Sequence, residues 1–141
     1  MNPVDFYIST DIESMDVDFV HNYLSNTSYW AKGRSREHVL KSMENSICFG
    51  LFTDSGKQIG FARLVTDYVV FAWIMDLFID ASYKGRGLGK KLVNHIVELP
   101  YLQHVNGIGL RTEDAHGLYE KFGFQKIADA ENWMLRKKRT A

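Results

Sequence analysis

The residues best placed to do chemistry lie between Asp76 and Lys90, in the run Asp76-Leu-Phe-Ile-Asp-Ala-Ser-Tyr-Lys84-Gly-Arg-Gly-Leu-Gly-Lys90. Glycines alternate at 85, 87 and 89, with Lys84, Arg86 and Lys90 among them. An apolar, strand-like stretch ends just before this segment and a helical pattern begins inside it. The first amides of a helix have no partner within it and lie at the positive end of its dipole. Glycines let such a backbone approach a ligand closely, so the segment is suited to a phosphate or pyrophosphate. Two common phosphate motifs do not fit. A P-loop ending at Gly89-Lys90 needs glycine at 84 and Ser or Thr at 91, and both positions are Lys. A dinucleotide fingerprint starting at Gly85 needs glycine at 90, and no acid follows between Glu98 and Glu113. The bland reading of the same residues is a tight loop whose glycines serve packing.

Composition narrows the classes. The chain has 141 residues and 45% apolar side chains, enough for one domain with its own core and too apolar for intrinsic disorder. Lys plus Arg equal Asp plus Glu at 17 each, which argues against an electrostatic nucleic-acid binder. The basic tail Arg136-Lys137-Lys138-Arg139 reads as a solvated chain end. Cys48 is the only cysteine, so neither an internal disulfide nor a multi-thiolate metal site is expected. His21, His38, His95, His104 and His116 form no pair at metal-ligand spacing, and no metal is expected. The longest uncharged apolar run, Tyr68 to Met75, is far too short to span a membrane. The first residues lack the basic and apolar regions of a signal peptide. The expectation is one cytoplasmic domain over residues 1–141, with no membrane or nucleic-acid partner.

The elements that must position the glycine segment can be read in order. Val4 to Ser9 reads as a strand. Asp16 caps a helix carrying Val17, Val20 and Leu24, and Ser35 caps a second carrying Val39, Leu40 and Met43. Ile47 to Thr53 and Gln58 to Thr66 form a hairpin about the turn Asp54-Ser-Gly-Lys57. Tyr68 to Ile79 is apolar enough for a central strand buried on both faces. Within it Phe71, Trp73 and Met75 alternate and read as core. A helix from Gly87 to Glu98 carries Leu88, Leu92 and Ile96, and Pro100 ends it. Gly107 to Thr112 is a strand, Asp114 caps a helix containing Leu118 and Tyr119, and Gly123 ends it. Phe124 to Ile127 and Trp133 to Arg136 are candidate last strands. The fold class is α/β of the α+β type, a central mixed, mostly antiparallel sheet flanked by about four helices.

Two segments together resemble a known family. Lys84-Gly-Arg-Gly87-Leu-Gly89 is similar to the acetyl-CoA pyrophosphate loop of the GNAT superfamily of N-acetyltransferases, Gln/Arg-x-x-Gly-x-Gly/Ala, with Lys84 in the Gln/Arg position. The run from Thr112 through Ala115 and Tyr119 to Gly123-Phe124 is similar to its second signature, Asn-x-x-Ala-x-x-x-Tyr-x-x-x-Gly-Phe, with Thr112 in place of Asn. The element order agrees over nearly the whole chain.

The resemblance implies an acetyl-CoA-dependent N-acetyltransferase in which a primary amine of a small molecule or peptide attacks the thioester directly. It implies that pyrophosphate sits on Lys84, Gly85, Arg86, Gly87, Leu88, Gly89 and Lys90. Backbone amides near Leu77 and Phe78 would serve the oxyanion, Phe78 and Ile79 the pantetheine, and Thr112 the pantetheine arm. Tyr119 takes the position of the acid that protonates the departing thiolate. Asp76 matches a position where many relatives carry a catalytic Glu, and others place the base where this chain has Trp73. Asp76 therefore reads either as the base or as a structural carboxylate, and a water chain is the alternative route for the proton. Tyr29 and Trp30 fall in the region that walls the acceptor site in relatives. They either hold the substrate or anchor their loop. A homodimer is a further family expectation. The alternative function is a non-catalytic acyl-CoA sensor or partner-binding module on the same fold.

Overall fold

Capping side chains set the start of the first two helices. The Asp16 carboxylate accepts from the Phe19 amide at 3.0 Å and opens α1 (Val17–Asn26). Ser35 Oγ accepts from the His38 amide at 3.1 Å and opens α2 (Arg36–Glu44). Each cap satisfies one amide that helical geometry leaves without a partner. In this computed structural model, residues 5–138 are described. The remaining elements are β1 (Phe6–Ser9), β2 (Ile47–Thr53), β3 (Gln58–Thr66), β4 (Phe71–Ile79), α3 (Leu88–Val97), β5 (Gly107–Gly109) and α4 (His116–Glu120).

The strands form one mixed sheet in the order β1-β2-β3-β4-β5. The first four are antiparallel neighbours, and β5 runs parallel to β4 after the α3 crossover. α1 and α2 cover one face, where Val20, Leu24, Val39 and Met43 meet Phe52, Phe61 and Phe78. α3 covers the other, where Leu88, Leu92 and Ile96 meet Phe49, Leu51, Ile59 and Leu64. Burying each such side chain contributes about 1.5–3 kcal/mol, and these two layers hold the sheet at its middle.

A bulge interrupts the β3–β4 ladder. Arg63 pairs with Met75, whereas Phe61 pairs with Phe78, so β4 carries one extra residue there. Asp76 sits at this point with φ of +54°, a left-handed conformation that Asp tolerates better than most residues. The insertion reverses side-chain parity. Ala72 and Ile74 point to the α3 face, while Phe78, an even number of residues on, points to the α1–α2 face.

Several sequence expectations are corrected. Residue Val4, placed in the first strand, lies outside the described residues, as does Arg139 of the basic tail. β4 begins at Phe71 rather than Tyr68, because the Asp67 carboxylate gathers the amides of Val69, Val70 and Phe71 into a turn. Those amides, Val70 first, hold the Asp67 carboxyl below its ordinary range. The strands buried on both faces are β2 and β3, not β4, whose Phe71 is exposed and whose Trp73 and Met75 are half-buried. β5 stops at Gly109 rather than Thr112. Asp114 does not cap α4. The cap residue is Ala115, whose amide donates to Thr112 Oγ1 at 3.0 Å. Neither 124–127 nor 133–136 forms a strand, and Ile127, Trp133, Met134 and Leu135 stay exposed. Their β-formers suit a pleated, half-buried surface, and a three-residue β5 offers little ladder for them to join.

Candidate active site

β4 and β5 are paired only from Phe71↔Gly107 to Trp73↔Gly109. Beyond that point β4 continues to Ile79 without a strand on that side, so backbone groups along its free edge have no ladder partner. A groove of about 340 Å³ opens there. Leu77, Phe78 and Ile79 line one side of it. Lys84, Gly85, Gly87, Leu88, Gly89 and Lys90 line another.

The glycine loop presents bare backbone at the start of α3, an arrangement suited to an anion. Gly85 and Gly87 have φ of +83° and +74°, and Gly87 is the N-terminal residue before α3. Side chains rarely adopt these angles, and glycine reaches them without strain. Gly87 supplies no side-chain cap, and the first helical bond runs from the Lys91 amide to the Gly87 carbonyl. The amides of Leu88, Gly89 and Lys90 therefore stay open toward the groove. Added Cβ atoms at Gly85 and Gly87 would meet nothing within 4 Å, so the loop's outer face is bare backbone.

Six residues that sequence reasoning placed in this site do not line the groove: Tyr29, Trp73, Asp76, Arg86, Thr112 and Tyr119. Arg86 is not on the groove wall, and its guanidinium lies 5.0 Å above the Tyr83 ring. Thr112 spends its hydroxyl on the Ala115 amide. The groove also gains residues that the sequence did not point to: Tyr23, Tyr83, Asp114 and Leu118. Lys121, just past α4, stands beside Lys90, whose ammonium holds it below the ordinary lysine range. No carboxylate among the described residues pairs with either ammonium. Such a like-charge pair is relieved by an anion. The helix pattern hid it, because 31 residues separate the two lysines in sequence.

Tyr119 lies on α4 with 8% of its surface exposed, edge-on to Phe124. Burial, then the neighbouring Tyr29 and Asp114, push its phenol up to about 12. It is thus a neutral hydrogen-bond donor at any ordinary pH. Cys48 is buried beneath α2, and burial pushes its thiol up to about 11, which leaves it unsuited to nucleophilic work.

Asp76 is buried, and its carboxylate is engaged from three directions. Trp30 Nε1 donates to Oδ1 at 2.8 Å, and Arg34 and Arg63 each donate to Oδ2 at 2.8 Å. The carboxylate is therefore charge-paired and not isolated in an apolar pocket. Trp30 lines the groove, and Tyr29 packs edge-on against it at 5.0 Å. The Tyr29 hydroxyl accepts from the Glu113 amide at 2.8 Å. Trp73 is not brought to the groove. Its ring lies over Gly109, where an added Cβ would come within 2.8 Å of it. The described residues hold no cluster of three or more potential metal ligands.

Comparison with known proteins agrees with this geometry. Residues 44–126 match the model of the acetyltransferase (GNAT) domain. The peptidyl-lysine N-acetyltransferase YjaB of Salmonella typhimurium is 31% identical over 117 residues, covering 82% of this chain and 73% of its own. A crystal structure from Xanthomonas campestris pv. campestris, described as belonging to the GNAT family, superposes with a TM-score of 0.91 at 36% identity. That match covers 95% of this chain and 94% of the other. A Clostridium acetobutylicum structure, described as a predicted acetyltransferase with acetyl-CoA, shares the fold with a TM-score of 0.71 at 12% identity over 96% of each chain. The strand-to-helix glycine cradle, the splayed β4 edge and these matches place the chain in the GNAT superfamily, as an N-acetyltransferase.

Proposed function

We propose that the protein transfers an acetyl group from acetyl-CoA to a primary amine of a small molecule or peptide, by direct attack and without a metal. The observation that carries this reading is the groove itself. It joins an anion cradle at Gly85 to Lys90 to the free edge of β4 at Leu77 to Ile79. The residues fit CoA: open amides and Lys84, Lys90 and Lys121 suit its phosphates, and a free strand edge suits its amide-rich arm.

When bound, acetyl-CoA supplies an activated thioester that an amine opens with release of a thiol. The chain's own part is positional and electrostatic. Backbone amides near Leu77 and Phe78 donate to the carbonyl oxygen as negative charge develops on it. Tyr119 presents its phenol to the leaving sulfur. Full proton transfer from a group at about 12 to a thiolate whose thiol has ordinary acidity costs about 5 kcal/mol. The phenol therefore acts first as a hydrogen-bond donor and completes the transfer only as the carbon–sulfur bond breaks. The amine's proton passes to solvent water at the mouth of the groove.

Thermal unfolding with acetyl-CoA, CoA, ATP and NAD tests the site, because a ligand that binds only the folded state raises the melting point. Stabilisation by acetyl-CoA and CoA alone is expected, followed by amine-dependent thiol release. No shift with saturating acetyl-CoA overturns the reading.

A further inference from the structure

We propose that Asp76 is a positioning residue that fastens the Tyr29–Arg34 loop to the β4 bulge, so that one carboxylate sets both the acceptor-side wall and the backbone beside the reacting carbonyl. The proposal rests on the acetyl-transfer reading above and assigns a role within that same site.

Four observations converge on it. Asp76 is the bulge residue itself, held in a left-handed conformation immediately before Leu77 and Phe78. Its side chain is 1% exposed, and three of its about four acceptor positions are filled. A group so occupied is poorly placed to accept a proton from a substrate. Two of the three donors, Trp30 and Arg34, come from a single loop 42 or more residues away in sequence. The third, Arg63, extends the same network to Ser46 Oγ at 2.8 Å, at the start of β2.

The loop is tied at a second point, and that point is also part of the site. Tyr29 accepts from the Glu113 amide, at the approach to α4 and Tyr119. Trp30, itself one of the Asp76 donors and next to Tyr29 in the chain, lines the groove. Releasing the Asp76 tie frees the Trp30 side of the wall while the glycine cradle, more than eight residues further on, keeps its own geometry. The expected signature is therefore asymmetric, with recognition of the acceptor lost and acetyl-CoA binding kept.

The test uses the full chain, acetyl-CoA and a peptide with one free lysine ε-amine, followed by thiol release. Trp30→Phe keeps an aromatic side chain and removes the indole N–H together with its five-membered ring, so the Arg34 variants, which leave the groove lining intact, carry the comparison. Arg34→Gln removes a charge, and Arg34→Lys restores it. The proposal expects Trp30→Phe and Arg34→Gln to raise KM for the peptide by about fivefold or more, with KM for acetyl-CoA within about twofold of the parent. Arg34→Lys recovers part of the loss. Asp76→Asn keeps the parent shape of the pH profile of kcat/KM. Loss of the acidic limb in Asp76→Asn, with unaltered kinetics in Trp30→Phe and Arg34→Gln, overturns the proposal in favour of a base. If the parent protein does not turn over the peptide, that result counts against the transfer reading alone. Amide hydrogen exchange then decides the present one. Exchange at 28–34 must rise about tenfold in Trp30→Phe and Arg34→Gln with β2 and β3 unchanged, and an unchanged loop overturns it.

Discussion

Arg63 and Asp76 meet across the β3–β4 bulge, Nε to Oδ2 at 2.8 Å, both with side chains under one-tenth exposed. Removing one member of a buried pair leaves the other uncompensated, at a cost of 3–5 kcal/mol in typical cases. Asp76 keeps Arg34, which softens the loss. Arg63→Leu is therefore expected to lower unfolding free energy by about 3 kcal/mol, read by urea titration with the slope unchanged. A loss under about 1 kcal/mol would mean that the pair does not hold the bulge.

Tyr119→Phe removes the proposed leaving-group donor and leaves the ring packing on Phe124. The expected result is a kcat lower by about 10²-fold with little change in KM for acetyl-CoA. Its pH signature follows from burial. The phenol stays protonated in the fold up to about 12, while in the unfolded chain it ionises near 10. Stability is thus lost as pH rises from about 10 to about 12, by up to about 2 kcal/mol. Tyr119→Phe should abolish that part of the alkaline decline. An identical alkaline melting curve in the variant would contradict the burial argument.

Lys121→Glu replaces one of two adjacent cations near the glycine cradle with an anion. CoA affinity is expected to fall about tenfold at low ionic strength, with the gap narrowing in high salt as screening weakens both effects. Because Lys90 holds Lys121 below the ordinary lysine range, a bound phosphate restores its proton affinity. CoA binding at alkaline pH should therefore take up protons, measurable as a buffer-dependent calorimetric heat. Salt-independent binding in the parent would remove both lysines from the site.

Gly109→Ala tests the β4–β5 junction. The added methyl would lie 2.8 Å from two Trp73 ring carbons and 3.0 Å from Phe71. Overpacking of this kind costs about 1–3 kcal/mol, and a fall of about 5 °C in Tm is expected. Trp73→Leu in the same background should recover part of it. A neutral Gly109→Ala would mean that the ring moves aside freely.

What the sequence made legible was local chemistry. Asp16 and Ser35 are cap residues by type, and their bonds reach only three residues. The β2–β3 hairpin and its turn follow from alternation and a Ser-Gly pair. Gly85 and Gly87 read as backbone-permissive positions at a strand-to-helix junction, and both have positive φ. Long-range pairing was illegible. Nothing near Asp76 signals that Arg34 and Trp30 come to it, or that an extra residue reverses the parity of β4. The Asp67 turn escaped because Tyr68 to Phe71 is as apolar as the strand it precedes. The last two expected strands failed for the complementary reason: their composition suits a sheet, and the neighbouring edge is too short to receive them.

The loop between α1 and α2 meets β4 and the approach to α4 through three side-chain hydrogen bonds, two at Asp76 and one at Glu113. The family match begins at residue 44, after that loop has passed. The elements on either side of residue 44 are one core, since β1 pairs with β2 and α1 and α2 pack on Phe52, Phe61 and Phe78, so the separable part is the loop alone. A chimera that exchanges only residues 27–35 leaves that core intact; it needs to preserve Tyr29, Trp30 and Arg34 as its stitches and the buried Ser28 and Ala31, and on the proposed function it can vary the rest of the wall to change which acceptor is taken.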